Sequence, residues 1–147
     1  MIACVQRVSS AEVNVDKEIK GAIGQGLLVL FGVKKGDDTV KAKILAEKIC
    51  NLRIFPNSDG KMSLSIKDTG GEILIISQFT LTAETNKGNR PDFINAAPPP
   101  IAEKLYIEYI DYTKAIIGAE RVSHGVFAAH MQVSLVNDGP VTILMER

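Results

Sequence analysis

The sequence predicts an α+β domain, a mostly antiparallel sheet or barrel covered by two amphipathic helices. Three patterns carry that expectation. Short β-rich segments crowd both ends of the chain, two continuous apolar runs read as fully buried strands, and two stretches place apolar residues at helical spacing. At 147 residues the chain can bury a real hydrophobic core once but not comfortably twice, so residues 1–147 are read as one domain.

Taken in order, "MIACVQRV", "AEVNV" and "EIKGAI" are short β segments. Val13 and Val15 alternate against polar neighbours and Gly21 marks a break, which together predict an antiparallel meander. "GLLVLFGV", residues 26–33, is apolar throughout and bracketed by glycines, as expected of a central strand buried on both faces. Between Asp37 and Leu52, the residues Ala42, Leu45, Ala46, Ile49 and Leu52 share one helical face, while Lys41, Lys43, Glu47 and Lys48 share the other. Asp37 or Asp38 is the expected N-cap.

"NSDG", residues 57–60, predicts a turn, residues 61–67 a short strand, and "EILIISQFTL", residues 72–81, a second buried strand. Residues 82–100 form a long connection rich in Gly, Pro and Asn, the type of loop that is usually functional or mobile; a functional one is expected. Its proline run suits a helix start. In the helix that follows, Ile101, Ala102, Leu105, Tyr109, Tyr112 and Ile116 line one face, and Glu103, Lys104, Glu108, Asp111 and Lys114 the other. "FAAHMQVSLV" and "GPVTILMER" complete the chain as two strands joined at "NDGPVT", residues 137–142.

Composition narrows the function classes. Apolar residues at 46% and charged residues at 23% fit an ordinary globular protein and not a disordered one. Lys plus Arg and Asp plus Glu both count 17, so no global positive field exists to hold a long nucleic-acid backbone. A DNA partner is not expected, and any RNA must be gripped locally. No apolar run is long enough to span a membrane, and the N-terminus lacks the pattern of a secretory signal; the expectation is a cytoplasmic protein with no membrane partner. Cys4 and Cys50 share no metal-like spacing and read as core thiols.

Several residues stand out chemically. Ser77, Gln78 and Thr80 interrupt the apolar strand at its C-terminal end, where buried polar groups must either pair locally or face a cavity. His124 and His130 would share a face if they lay on one strand, but no carboxylate or cysteine completes a zinc set, so no metal is expected. Lys87 and Arg90 could meet a phosphate or stand as solvated loop charges. An ordinary trans hairpin is the usual outcome for such a segment, but Pro140 cannot donate to a strand ladder, so the pair needs an edge, a bulge or a special bond, and composition leaves the choice open.

"SQFTL" at 77–81 and "NDGPVT" at 137–142, with "QRV" at 6–8, "RPDF" at 90–93 and "FAAHMQVSLVN" at 127–137, resemble the D-aminoacyl-tRNA deacylase family over essentially the whole chain. The resemblance implies a β-barrel-like homodimer with a cis peptide bond between Gly139 and Pro140. By the same likeness, that motif of one subunit enters the active site of the other and bars L-amino acids. The implied reaction is hydrolysis of the ester at a tRNA 3′ end carrying a D-amino acid or glycine, assisted by the ribose 2′-hydroxyl and needing no cofactor.

Ser77, Gln78, Phe79 and Thr80 then take the ester-facing role, with backbone donors near Phe79 toward the oxyanion. Phe127, Ala128 and Met131 match the stretch that helps line the adenosine pocket, and Arg7 is a brace for the intruding motif. Thr80 is the obvious protein nucleophile if one exists, but nothing in the sequence places a base beside it. Two alternatives stand beside this reading: a nucleic-acid-binding module of the same fold without catalysis, and a Cys-dependent hydrolase.

Overall fold

The computed structural model describes residues 1–86 and 88–147; Lys87, one of the two loop cations named above, lies outside the described residues. The chain runs through β1 (Ile2–Val15), β2 (Glu18–Ile23), β3 (Gly26–Gly32), α1 (Thr39–Cys50), β4 (Phe55–Pro56), β5 (Met62–Leu64), α2 (Ile66–Thr69), β6 (Glu72–Ser77), α3 (Pro99–Ile117), β7 (Val122–His124) and β8 (Gln132–Glu146). The main sheet has the order β2-β1-β3-β6-β7, with β8 pairing β1 as well. β4 and β5 form a separate ribbon.

β1 organises this sheet. It is one continuous strand where the sequence suggested two, and it pairs antiparallel with β3 over Ile2–Val8, with β2 over Ala11–Val15, and with β8 along nearly its whole length. β3 is central, between β1 and β6, and its alternate residues feed two cores. Leu27, Val29 and Phe31 pack under the helices, while Leu28 joins Val8, Val13, Leu74 and Ile76 on the other face. A strand buried on both faces has to be apolar at every position, which is what residues 26–33 are.

The antiparallel expectation holds for the three pairs that β1 makes, with β2, β3 and β8, but not for the whole sheet. β3 with β6 and β6 with β7 are parallel pairs, so the sheet is mixed. The long connections through α1 and α3 are the reason: a parallel neighbour needs a crossover of about a dozen residues, usually helical. The sheet curls until its edges meet, and Ser123 Oγ on β7 donates to the Ala22 carbonyl on β2 at 3.2 Å. Gly21 lies inside β2 and is not a break; a Cβ there would stand 3.2 Å from both the His124 carbonyl and Ser123 Cβ, so the close approach of β7 favours glycine.

α1 buries Ala42, Leu45, Ala46, Ile49 and Cys50, and its N-cap is Asp38, whose side chain accepts from the Lys41 amide. α3 buries Leu105, Tyr106, Tyr109, Ile110, Thr113 and Ile117, a stripe rotated from the one expected; Ile101 is exposed. Aromatic and aliphatic residues occur nearly all round this helix, so the sheet selects the stripe. Tyr109 stacks on Phe31 with centroids 4.3 Å apart, and Tyr106 Oη donates to the Ile75 carbonyl at 2.9 Å. The short strand expected at 61–67 forms over Met62–Leu64, and the one-turn helix α2 takes up the chain from Ile66. Ser65 and Asp68 form a reciprocal capping box and Gly70 closes the turn at φ 71°.

Asp37 ties the chain start to α1. Its carboxylate meets the Met1 amino group at 2.5 Å, accepts from the Lys34 amide at 2.7 Å and pairs with Lys41 at 3.0 Å, with its side chain only 2% exposed. Burial works against the charged carboxylate, but these donors outweigh it and hold the group below its usual range. Its stabilisation is therefore complete above the unfolded value of about pH 4 and is lost as pH falls through the lower folded value. Asp37→Asn should cost about 3 kcal/mol at neutral pH, measured by urea unfolding, and the melting temperatures of variant and parent should converge as the buffer is taken from pH 6 to pH 2.

Candidate active site

The two parallel strands at the middle of the sheet end side by side, and a cavity of about 600 Å³ opens beyond them. Ser77, Gln78 and Phe79 form one wall, and Phe127, Ala128, Ala129, His130 and Met131 the facing wall. Phe93, Ala96 and Ala97 from the long connection, with Pro99, Ala102 and Tyr106 of α3, complete its sides. Among the described residues no Lys, Arg, Asp or Glu lines it. The crevice beyond the carboxyl ends of parallel strands is where open α/β sheets hold ligands.

Local hydrogen bonds set the first wall. Gln78 N donates to the Phe31 carbonyl at 2.8 Å, so the chain leaves β6 still attached to β3. It then tightens into a 3₁₀ turn over Phe79–Thr82, where Thr82 Oγ1 donates to the Phe79 carbonyl at 2.8 Å. The first amides of such a turn have no acceptor within it. Thr80 is exposed and does not line the cavity; its hydroxyl accepts from Gln78 Nε2. The strand expected to run to Leu81 therefore stops at Ser77.

The facing wall is not the strand expected from "FAAHMQVSLV". β7 ends at His124 and β8 begins at Gln132, and the chain between turns with Ala128 in the left-handed region at φ 59°. His124 and His130 thus do not share a strand face. His124 Nδ1 contacts the Gly125 carbonyl at 2.9 Å, while His130 reaches the cavity. Among the described residues no three His, Cys, Asp or Glu side chains converge as a metal set. Cys50 is buried, and desolvation pushes its thiol up to about 11, which removes the thiolate a nucleophile needs.

The "NDGPVT" segment does not join two strands as a hairpin. β8 pairs with β1 on both sides of it: Gln6 faces Thr142 and Val8 faces Asn137, so Asp138, Gly139, Pro140 and Val141 bulge out opposite Arg7 alone. The Gly139–Pro140 peptide bond is cis and Gly139 sits at φ 150°. Arg7, 9% exposed, holds this bulge: Nε donates to the Asp138 carbonyl at 2.9 Å and faces its carboxylate at 3.1 Å, and Nη1 donates to the Ile54 carbonyl at 2.5 Å. Asn137 closes it from within. Its Oδ1 accepts from the Val141 amide at 2.7 Å and its Nδ2 donates to the Val141 carbonyl at 3.1 Å.

The structure thus brings Ser77, Gln78, Phe79, Phe127, Ala128 and Met131 around one cavity. Arg7, Gly139 and Pro140 gather at a second place and do not line the cavity of their own chain. Asn137 was missed in the sequence, although it stands in the quoted hexapeptide; its turn-forming character was the available signal. Phe93, Ala96 and Ala97 were missed too, because only the folding of the long connection carries them to the cavity.

A family model described as D-Tyr-tRNA(Tyr) deacylase matches residues 4–146. The chain belongs to this deacylase family. D-aminoacyl-tRNA deacylases of Histophilus somni and Vibrio cholerae are similar to it at 58% identity over 97% of this chain and 96% of theirs, and at 53% over 99% of each. Membership makes the protein an enzyme of a hydrolase family. Among solved structures, one described as c-Myc DNA Unwinding Element Binding Protein is 42% identical with a TM-score of 0.96, covering 100% of this chain and 99% of that one. A probable eukaryotic D-amino acid tRNA deacylase, 15% identical with a TM-score of 0.86 over 98% and 97% of the two chains, shares the fold.

Arg7→Ala should destabilise the protein by about 2 to 3 kcal/mol, since it strips charged donors from two carbonyls, and Arg7→Lys should not restore the loss because an ammonium cannot span both acceptors; denaturant unfolding of both variants checks this. Iodoacetamide at pH 7.5 should leave Cys50 unmodified in the folded protein and label it in urea, as read by mass spectrometry.

Proposed function

We propose that this deacylase hydrolyses the ester between a D-amino acid, or glycine mischarged on alanine tRNA, and the terminal adenosine of tRNA. The observation that carries the reading is the neutral, largely apolar cavity at the end of β6, with Ser77, Gln78 and Phe79 on one wall and Phe127, Ala128 and Met131 on the other, in a chain of this family. A planar adenosine suits an aromatic and thioether lining. The ester lies toward the Phe79 end, where free backbone amides can stabilise the oxyanion.

In the proposed reaction the ribose 2′-hydroxyl assists water at the acyl carbon, the carbon–oxygen bond to the ribose breaks, and free amino acid and tRNA leave. Among the described residues no base is hydrogen-bonded to Thr80; its hydroxyl is engaged by the Gln78 amide, which favours positioning over nucleophilic attack.

Chirality is assigned to the Gly139–Pro140 bulge of a second subunit. Two facts support this. The bulge does not line its own chain's cavity yet is exposed at Gly139 and Pro140 and braced, and Val136 and Leu144 beside it on β8 are 58% and 65% exposed, the kind of apolar surface a second copy covers. Such an obstacle stands where an L-residue's Cβ would point and ignores the side chain of a D-residue, so broad D-specificity follows. The cytoplasm, where tRNA is charged, is the proposed site of action; no helix among the described residues is long and apolar enough to cross a membrane.

A second reading, a non-catalytic nucleic-acid-binding dimer, draws on the relative described as a DNA unwinding element binding protein. Salt-dependent binding of uncharged tRNA or DNA with no ester turnover would establish it instead. The deciding experiment is single-turnover hydrolysis of D- and L-tyrosyl-tRNA. The native protein should favour the D-ester by roughly a hundredfold, and Asn137→Ala, which loosens the bulge, should erode that ratio mainly by speeding the L-ester. Thr80→Ala should keep most of the rate, whereas tRNA ending in 2′-deoxyadenosine should lose it; a dead Thr80→Ala protein or a trapped acyl-enzyme would transfer the chemistry to that hydroxyl.

A further inference from the structure

The "RPDF" segment, residues 90–93, helps mark the family but has no role in the reaction as described so far. The connection that contains it is anchored. Glu84 N donates to the Asp92 carbonyl at 2.8 Å and Asp92 N returns the bond at 3.0 Å; Lys35 N donates to the Asn95 carbonyl at 2.9 Å and Ala97 N to the Val33 carbonyl at 3.0 Å. Between these ties stands Phe93. Its ring meets that of Phe79 edge to face, with centroids 5.0 Å apart and planes at 64°, and both rings border the cavity.

Phe79 needs such a partner. The turn it begins is held at the rear, where Thr82 is 3% exposed and bonded to the Phe79 carbonyl. At the front is the Phe79 side chain, 57% exposed, and Phe93 is the one aromatic ring in contact with it among the described residues. An edge-to-face pair fixes orientation as well as proximity, because the positive ring edge seeks the negative face. We propose that Phe93 is a positioning residue for deacylation: it clamps Phe79, and so aims the backbone amides that open the 79–82 turn, without touching the reacting atoms. The kinetic half of this inference rests on the deacylase reading; the structural half does not.

The test compares Phe93→Tyr, Phe93→Leu and Phe93→Ala by hydrogen–deuterium exchange in the free protein and by single-turnover hydrolysis of D-tyrosyl-tRNA. The leucine and alanine variants should speed exchange across residues 78–83 about tenfold with no change in melting temperature. They should also slow hydrolysis at saturation about tenfold while leaving the Kd for tRNA within about twofold. Phe93→Tyr, which keeps the ring edge, should restore both. The single Phe79→Ala and the double Phe79→Ala/Phe93→Ala proteins should be equally slow, since without the Phe79 ring Phe93 has nothing left to clamp. A leucine variant indistinguishable from the parent would overturn the clamp, and so would a loss confined to Kd, which would put Phe93 on the nucleotide. A parent protein inactive on the ester would sink the deacylase reading, while the exchange rates would still decide whether Phe93 holds the turn.

Discussion

The pairing of β1 with three other strands is the constraint on which the rest of the structure depends. Because Ile2–Val15 fixes the register of β2, β3 and β8 at once, none of the three can slip without turning a buried face outward. One effect is at the sheet centre, where β3 is held so that β6 can lie parallel to it and both strands end at the cavity. Another is at Arg7. With Gln6 and Val8 already matched to Thr142 and Asn137, the residues between must leave the ladder, and the arginine opposite them is placed to hold what is expelled.

Cavity and bulge are built on different physical terms. The cavity is largely apolar, with Ser77, Gln78 and His130 among its polar side chains and no Lys, Arg, Asp or Glu among the described residues that line it; what it does to a ligand comes mostly through shape and the direction of amides. The bulge is held by a buried guanidinium and a side-chain amide, groups strong enough to keep a short exposed segment in one shape. Under the proposed function these two parts meet only between subunits, so the chain carries a complete set of parts but not a complete site. Under the same proposal a second subunit covers outer apolar residues of β8 such as Leu144.

Legibility in the sequence followed the range of the interactions. Residues 26–33 and 72–81 were readable as buried strands because burial on two faces demands an uninterrupted apolar run, although the second strand stops at Ser77. α1 was readable to a choice between two adjacent capping aspartates because its face and cap are local, and the fold selects Asp38. The buried stripe of α3 was not, since apolar residues surround that helix and the sheet chooses among them. The one-turn helix after Ser65 was written in a capping box that a short strand pattern obscured. At the candidate site, Ser77, Gln78, Phe79, Phe127 and Met131 stood out as family motifs with a role, whereas Phe93, though inside the quoted "RPDF", and Ala97 needed the folded connection to bring them to the cavity.

By itself the sequence determined that two apolar strands, two helices and a Gly–Pro segment near the C-terminus exist, and that the family motifs lie in deacylase order. These depend on periodicity, local turn chemistry and residue identity, which a chain carries without folding. Only the tertiary structure decided that β6 runs parallel to β3, that "NDGPVT" is a bulge and not a hairpin, and that the bulge and the cavity lie apart on one protomer. Strand direction and register come from contacts between residues such as Gln6 and Thr142, more than a hundred positions apart, and no local pattern encodes the sum of such distant pairings.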